Sequence, residues 1–150
     1  MALPTGSGIR GEGDQIKIID GAGSAQINAG TFGLASIAVL LASSENAYRA
    51  EFVLIGDLSF PAGAQEGAVI YGRKKNIIAA PATDADVPSL TNYQRPVAFL
   101  PFDTNPTTIN VFGVGNVERD EEYYIYLQTA TSNLLAGHDL YYRPLGPVAK

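Results

Sequence analysis

Short runs in which apolar and polar residues alternate recur along the chain between clusters of turn-forming residues. That period of two places successive side chains on opposite faces of extended backbone. Residues 15–20 (QIKIID) open the series. Residues 31–44 (TFGLASIAVLLASS) are ambiguous, because Leu34, Ile37, Ala38 and Leu41 also fit one face of a helix; Ser43-Ser44-Glu45-Asn46 favours a strand that closes as a hairpin on the next segment. In residues 47–56 (AYRAEFVLIG), Tyr48, Ala50, Phe52 and Leu54 share one face, while Arg49 and Glu51 share the other with Ala47 and Val53, which predicts a half-buried strand. AVIYG (68–72) and NIIAA (76–80) flank Arg73-Lys74-Lys75, predicted as a hairpin tip. RPVAFLPFD (95–103) and TTINVFGVG (107–115) form the next pair, and Pro96 and Pro101 assign the first of them to an edge or to irregular structure. EYYIYLQTA (122–130) sets Tyr123, Ile125 and Leu127 against Tyr124, Tyr126 and Gln128, and DLYYR (139–143) ends the series. About eight strands without a long helix predict an all-β fold, an antiparallel sandwich.

Two segments fall outside this pattern. Residues 1–14 contain Gly6, Gly8, Gly11 and Gly13 among scattered polar residues, a composition that reads as an extended arm needing a partner to order it. Residues 146–150 read as a short tail, which leaves 15–145 as the sandwich. A chain of 150 residues suits one such domain.

Composition narrows the function. A net charge of −5 argues against nucleic acid as a partner, since such binding draws on neutralised phosphates. The longest apolar run, residues 34–42, is far shorter than the ~20 residues that span a bilayer, so no membrane segment is expected. There is no cysteine, which removes disulfides and thiolate metal sites and suits a reducing cytoplasm. The N-terminus lacks the basic start and apolar core of a signal peptide.

Candidate chemistry is thin. Glu118, Arg119, Asp120, Glu121 and Glu122 fall between two strand signals and read as a solvated turn; acid–base catalysis would need one carboxylate with its pKa raised, and a calcium site would need alternating ligand spacing that the loop lacks. GSGIRG (6–11) has the spacing of a dinucleotide-binding loop but neither the preceding strand nor the following helix. His138 is the only histidine and lacks metal-ligand companions, so it reads as a surface-loop residue. Tyrosines 123, 124, 126, 141 and 142 would suit sugar stacking where they point outward, but most are expected in the core. No catalytic residue, cofactor or metal is assigned.

GVGNVERDEEYYIYLQTA, an acidic turn before a long alternating strand, resembles the penultimate segment of jelly-roll domains. TFGLASIAVLLASSENAYRAEFVLIG resembles the early hairpin of jelly rolls in bacteriophage decoration and fibre-tip proteins. The resemblance extends over residues 15–145 as a pattern, without a diagnostic motif. It implies a homotrimeric, non-enzymatic module on the exterior of a virion, assembled in the host cytoplasm, with the major capsid protein as partner. On that reading the chain is a decoration (cement) protein, and Leu3, Pro4, Ile9, Arg10, Arg73, Lys74 and Lys75 are the candidate capsid or protomer contacts. The alternative is a carbohydrate- or receptor-binding fibre tip, for which exposed aromatics would be the contacts.

Overall fold

The computed structural model of the chain describes residues 10–12, 15–36, 49–75, 87–91, 95–103, 107–118 and 121–147. Among them are eight strands and no helix: β1 (Arg10–Glu12), β2 (Ile16–Ile19), β3 (Arg49–Asp57), β4 (Gly67–Lys74), β5 (Arg95–Pro101), β6 (Thr108–Asn116), β7 (Glu121–Gln128) and β8 (Asp139–Pro147). They form two antiparallel sheets. The larger sheet runs β1–β8–β3–β6, with β2 also on β8; the smaller runs β5–β4–β7. Beyond β7 lies the segment 27–36. Its Gly30, Gly33 and Ser36 N–H groups donate to the carbonyls of Leu127, Ile125 and Tyr123.

The core forms where the inward side chains of both sheets meet. From the larger sheet come Ala50, Phe52, Leu54, Ile109, Leu140 and Tyr142; Ala68, Ile70, Leu100, Tyr123, Ile125 and Leu127 face them. Phe52 sits edge-on to Tyr123 at 5.0 Å, and Tyr123 stacks on Tyr142 at 5.8 Å, so aromatic packing ties the sheets together at one point. Along one flank β6 closes tightly on β5. A Cβ at Gly113 would collide with the Phe99 carbonyl, and one at Gly115 with the Val97 carbonyl. Glycine at both positions is what permits that approach.

The sandwich expected from alternation is observed, including the inward Ala50, Phe52 and Leu54 and the outward-leaning Arg49, Glu51 and Val53. β5, with its two prolines, is an edge strand as expected, and its pairing with β4 shifts register between Ile70 and Tyr71.

Several local expectations change. Residues 31–36 run along β7, not back along residues 47–56: β3 already has β6 and β8 on its two sides. The remainder of that predicted segment, 37–44, lies outside the described residues, as does NIIAA (76–80). Arg73 and Lys74 belong to β4, opposite Glu122 and Glu121, because β7 supplies a ladder partner to its last residue; they are not a hairpin tip. β5 and β6 fall in different sheets and do not form a hairpin. Arg10, Gly11 and Glu12 pair with Pro147, Gly146 and Leu145, so ladder hydrogen bonding draws these residues of the predicted arm, and the start of the predicted tail, into the larger sheet.

Candidate functional site

The start of β7 contradicts the expectation of a solvated acidic turn. Glu121 and Glu122 are both buried, at 1% and 9% exposure. Consecutive residues of a strand point to opposite faces, so one carboxylate faces the core and the other the outside of the smaller sheet. Each is matched by an arginine of the same sheet, Arg73 from the adjacent β4 and Arg95 from β5 beyond it, and by a tyrosine two residues along its own face. On the inner side, Arg95 Nη2 and the Glu118 N–H both donate to Glu121 Oε1, and the Tyr123 hydroxyl lies 3.4 Å from it. Gly72 supplies the room, since a Cβ there would overlap the Glu121 carboxylate. On the outer side, Arg73 Nη1 and the Tyr124 hydroxyl each donate to Glu122 Oε1 at 2.7 Å.

These contacts explain why charge is tolerated inside. A buried carboxylate needs a countercharge and satisfied lone pairs. Burial pushes the Tyr123 hydroxyl well above the ordinary tyrosine range, with the Glu121 charge adding to the effect. Burial, then the hydrogen bond to Glu122, raises Tyr124 to about 12. The hydrogen bond to Glu122 raises Arg73.

His138 departs from expectation in the same direction. It is 2% exposed, packed beside Gly56, and its Nδ1 lies 3.0 Å from the Leu135 carbonyl. A carbonyl only accepts, so the ring proton sits on Nδ1. The imidazole borders a cleft of about 230 Å³ with Ile18, Asp20, Ser24 and Leu34. Ser24 Oγ there accepts from Gly137 N–H, a turn-closing bond. Among the described residues no group of three or more His, Asp or Glu side chains is placed to hold a metal ion. Phe32, Tyr71 and Tyr126 meet on the outer side of the smaller sheet, but Tyr71 stands edge-on to Phe32 at 69° and to Tyr126 at 85°. Interlocked rings fill one another's faces and offer no flat platform.

Of the candidate contacts, Leu3, Pro4 and Ile9 lie outside the described residues. Arg10 begins β1 opposite Pro147, Arg73 and Lys74 end β4, and Lys75 follows. Register brings these to one end of the sandwich. Arg49 pairs with Leu145 and Asn116, Arg95 Nη1 donates to the Asn116 carbonyl across the two sheets, and Arg95 pairs with Gly72. Arg10, Arg49, Arg73, Lys74, Lys75 and Arg95 therefore gather there, six of the ten cationic residues of the chain, together with Glu118, Glu121 and Glu122, which pair with Arg95 and Arg73. Asp20, Asp57, Glu66, Asp103 and Asp139 mark the opposite end, where β2, β3 and β5 finish and β4 and β8 begin. The molecule is electrically polar along its strands.

Between those ends the outer face of the larger sheet carries an exposed apolar band. Phe112, Val53 and Tyr141 stand in one row across β6, β3 and β8. Phe112 is 64% exposed, and Val114 and Ile55 flank the row at 37% each. The alternation of TTINVFGVG carried a signal for this band: it puts Phe112 on the face of Thr108 and Asn110 and glycine on the face of the core.

Comparison with protein-family models, with curated proteins and with solved structures finds no match to this chain.

Proposed function

We propose that the chain is a non-enzymatic virion structural protein, a jelly-roll decoration protein that binds and stabilises a phage head. The strand order supports the fold part of this reading. With β1 and β2, which both pair with β8, counted as one strand and the segment 27–36 as the next, the sheets read first–eighth–third–sixth and second–seventh–fourth–fifth. Such an order supports a jelly-roll reading, in which a long hairpin wraps across two sheets.

The observation that carries the attachment part is the placement of Arg10 and of Arg73, Lys74 and Lys75 at the same end of the sandwich. An N-terminal segment leaving β1 at that end starts beside the end of β4, where Lys74 and Lys75 follow an Arg73 already held by Glu122, and such cations suit a partner that presents carboxylates. The buried Glu121 and Glu122 support a structural role, since Oε1 of each is taken up by arginine and tyrosine donors.

The test is cosedimentation with isolated phage heads stripped of their decoration protein. The full chain should bind saturably. Removing residues 1–9, which spares β1, should weaken binding at least tenfold while the circular dichroism stays β-rich. Absence of binding by the full chain rejects the decoration reading. Undiminished binding after truncation rejects the arm as its anchor.

A further inference from the structure

We propose that the outer face of the larger sheet docks a second copy of this chain, through a two-fold axis running along the Phe112–Val53–Tyr141 row. This goes beyond the decoration reading and does not depend on it.

The face is suited to burial. Phe112 is 64% exposed in the middle of a nine-residue strand, with Val53 directly opposite it on β3 and Val114 and Ile55 beside that row. Large apolar groups contiguous across several strands are what a protein contact covers. A chain of net charge −5 repels its own copies unless the contact is locally neutral. Here it is. Arg143 donates to Glu51 at 2.9 Å, Lys17 lies 3.4 Å from Asp139, and Arg49 and Asp57 stand at the two ends of β3.

Charge also fixes the orientation. Counting rows across the face from the basic end, the register gives Asn116–Arg49–Leu145, Val114–Glu51–Arg143, Phe112–Val53–Tyr141–Lys17, Asn110–Ile55–Asp139 and Thr108–Asp57; Lys17, over the Tyr141 ring, ends the row that meets itself, its charge balanced within the copy by Asp139. Rotation about the middle row lays each strand over its own counterpart, reversed. Arg49 then meets Asp57 of the second copy, and Arg143 meets Asp139 of the second copy, each contact occurring twice. Rotation about an axis parallel to the strands would instead set the first row against itself, with Arg49 facing Arg49. The polarity of the sandwich therefore selects the antiparallel arrangement, a closed isologous pair.

Sedimentation equilibrium on the full chain, with circular dichroism as the check on folding, tests this. The wild type should form a dimer. Phe112→Asp should raise its Kd by about 30-fold or more, the effect of losing a central anchor. Arg49→Glu and Asp57→Arg should each weaken it, and the double variant, which exchanges the charges in both copies, should return to within about threefold of wild type. A wild type that stays monomeric at about 100 μM overturns the proposal. So does an assembly of any size unmoved by Phe112→Asp, or a double variant no better than the singles. Head binding measured on a monomeric variant separates the two readings: retained binding leaves decoration standing whatever the state of the dimer.

Discussion

β6 and β7 are similar in length, antiparallel and adjacent in sequence, yet they solve different problems. β6 alternates strictly from Thr108 to Phe112, with Ile109 and Val111 inward and their neighbours in solvent. β7 is buried at every residue from Glu121 to Ile125, on both faces. A strand with one wet face needs only a pattern. A strand covered on both faces must find a partner for each polar group it carries, and β7 does so with an arginine and a tyrosine for each glutamate. The difference shows where polar residues act as structural elements: not where they are numerous, but where water is excluded from both sides.

The sharpest test of the contrast is Ile125→Ala on β7 beside Asn110→Thr on β6. The first leaves a cavity in the core and should cost about 2–5 kcal/mol in chemical denaturation. The second changes an exposed position and should stay within about 0.5 kcal/mol. Comparable losses at the two sites would erase the distinction.

Next in size is Glu121→Gln, which keeps the shape of the side chain but removes the charge that Arg95, Glu118 N–H and Tyr123 address. A loss of about 2 kcal/mol is expected, the scale of hydrogen bonds to a charged group. Stability unchanged from wild type would mean that the carboxylate acts as a neutral spacer.

The smallest expected effect is in alkali. The Tyr124 hydroxyl is raised from 10.0 to about 12 in the fold. A raised folded pKa means that the native state holds the proton more tightly than the unfolded chain. Its contribution is therefore complete below pH 10 and lost as pH rises through about 12. Thermal melts should be flat with respect to this group up to the lower value and fall by a few degrees above it, and Tyr124→Phe should remove that part of the slope. A slope identical in the variant would assign the loss to other groups.

The same contrast explains what was legible in the sequence. The sandwich, the inward set of β3 and the edge position of β5 could be read because each rests on local alternation or on proline, and water on one face writes that alternation into the chain. The two glutamates were misread because their partners are remote: Arg73 and Arg95 lie 49 and 26 residues away. A partial signal was present, since Glu121 precedes Tyr123 and Glu122 precedes Tyr124 by the two-residue step that shares a face. His138 was misread for a similar reason. It packs beside the remote Gly56, and its Nδ1 hydrogen bond, to Leu135, is local. The polarity of the ends was invisible until strand order placed Arg10 and Arg49 at one end of the larger sheet, and Asp57 and Asp139 at the other.

The close fit of Gly113 and Gly115 against β5 bears on how this protein avoids unlimited growth. A strand at the border of a sheet carries a row of unused hydrogen-bonding groups, and a foreign strand can extend the sheet there, copy after copy, into a fibril. β6 is pressed against the Val97 and Phe99 carbonyls of the opposite sheet, so the two border strands lie against each other on that flank. The companion border, β5, carries Pro96 and Pro101, which have no N–H to offer a neighbour. Two glycines and two prolines thus act as a seal along one flank. Replacing Gly115 by a bulkier residue would force β6 and β5 apart and so expose their border hydrogen-bonding groups, a hazard separate from lost stability.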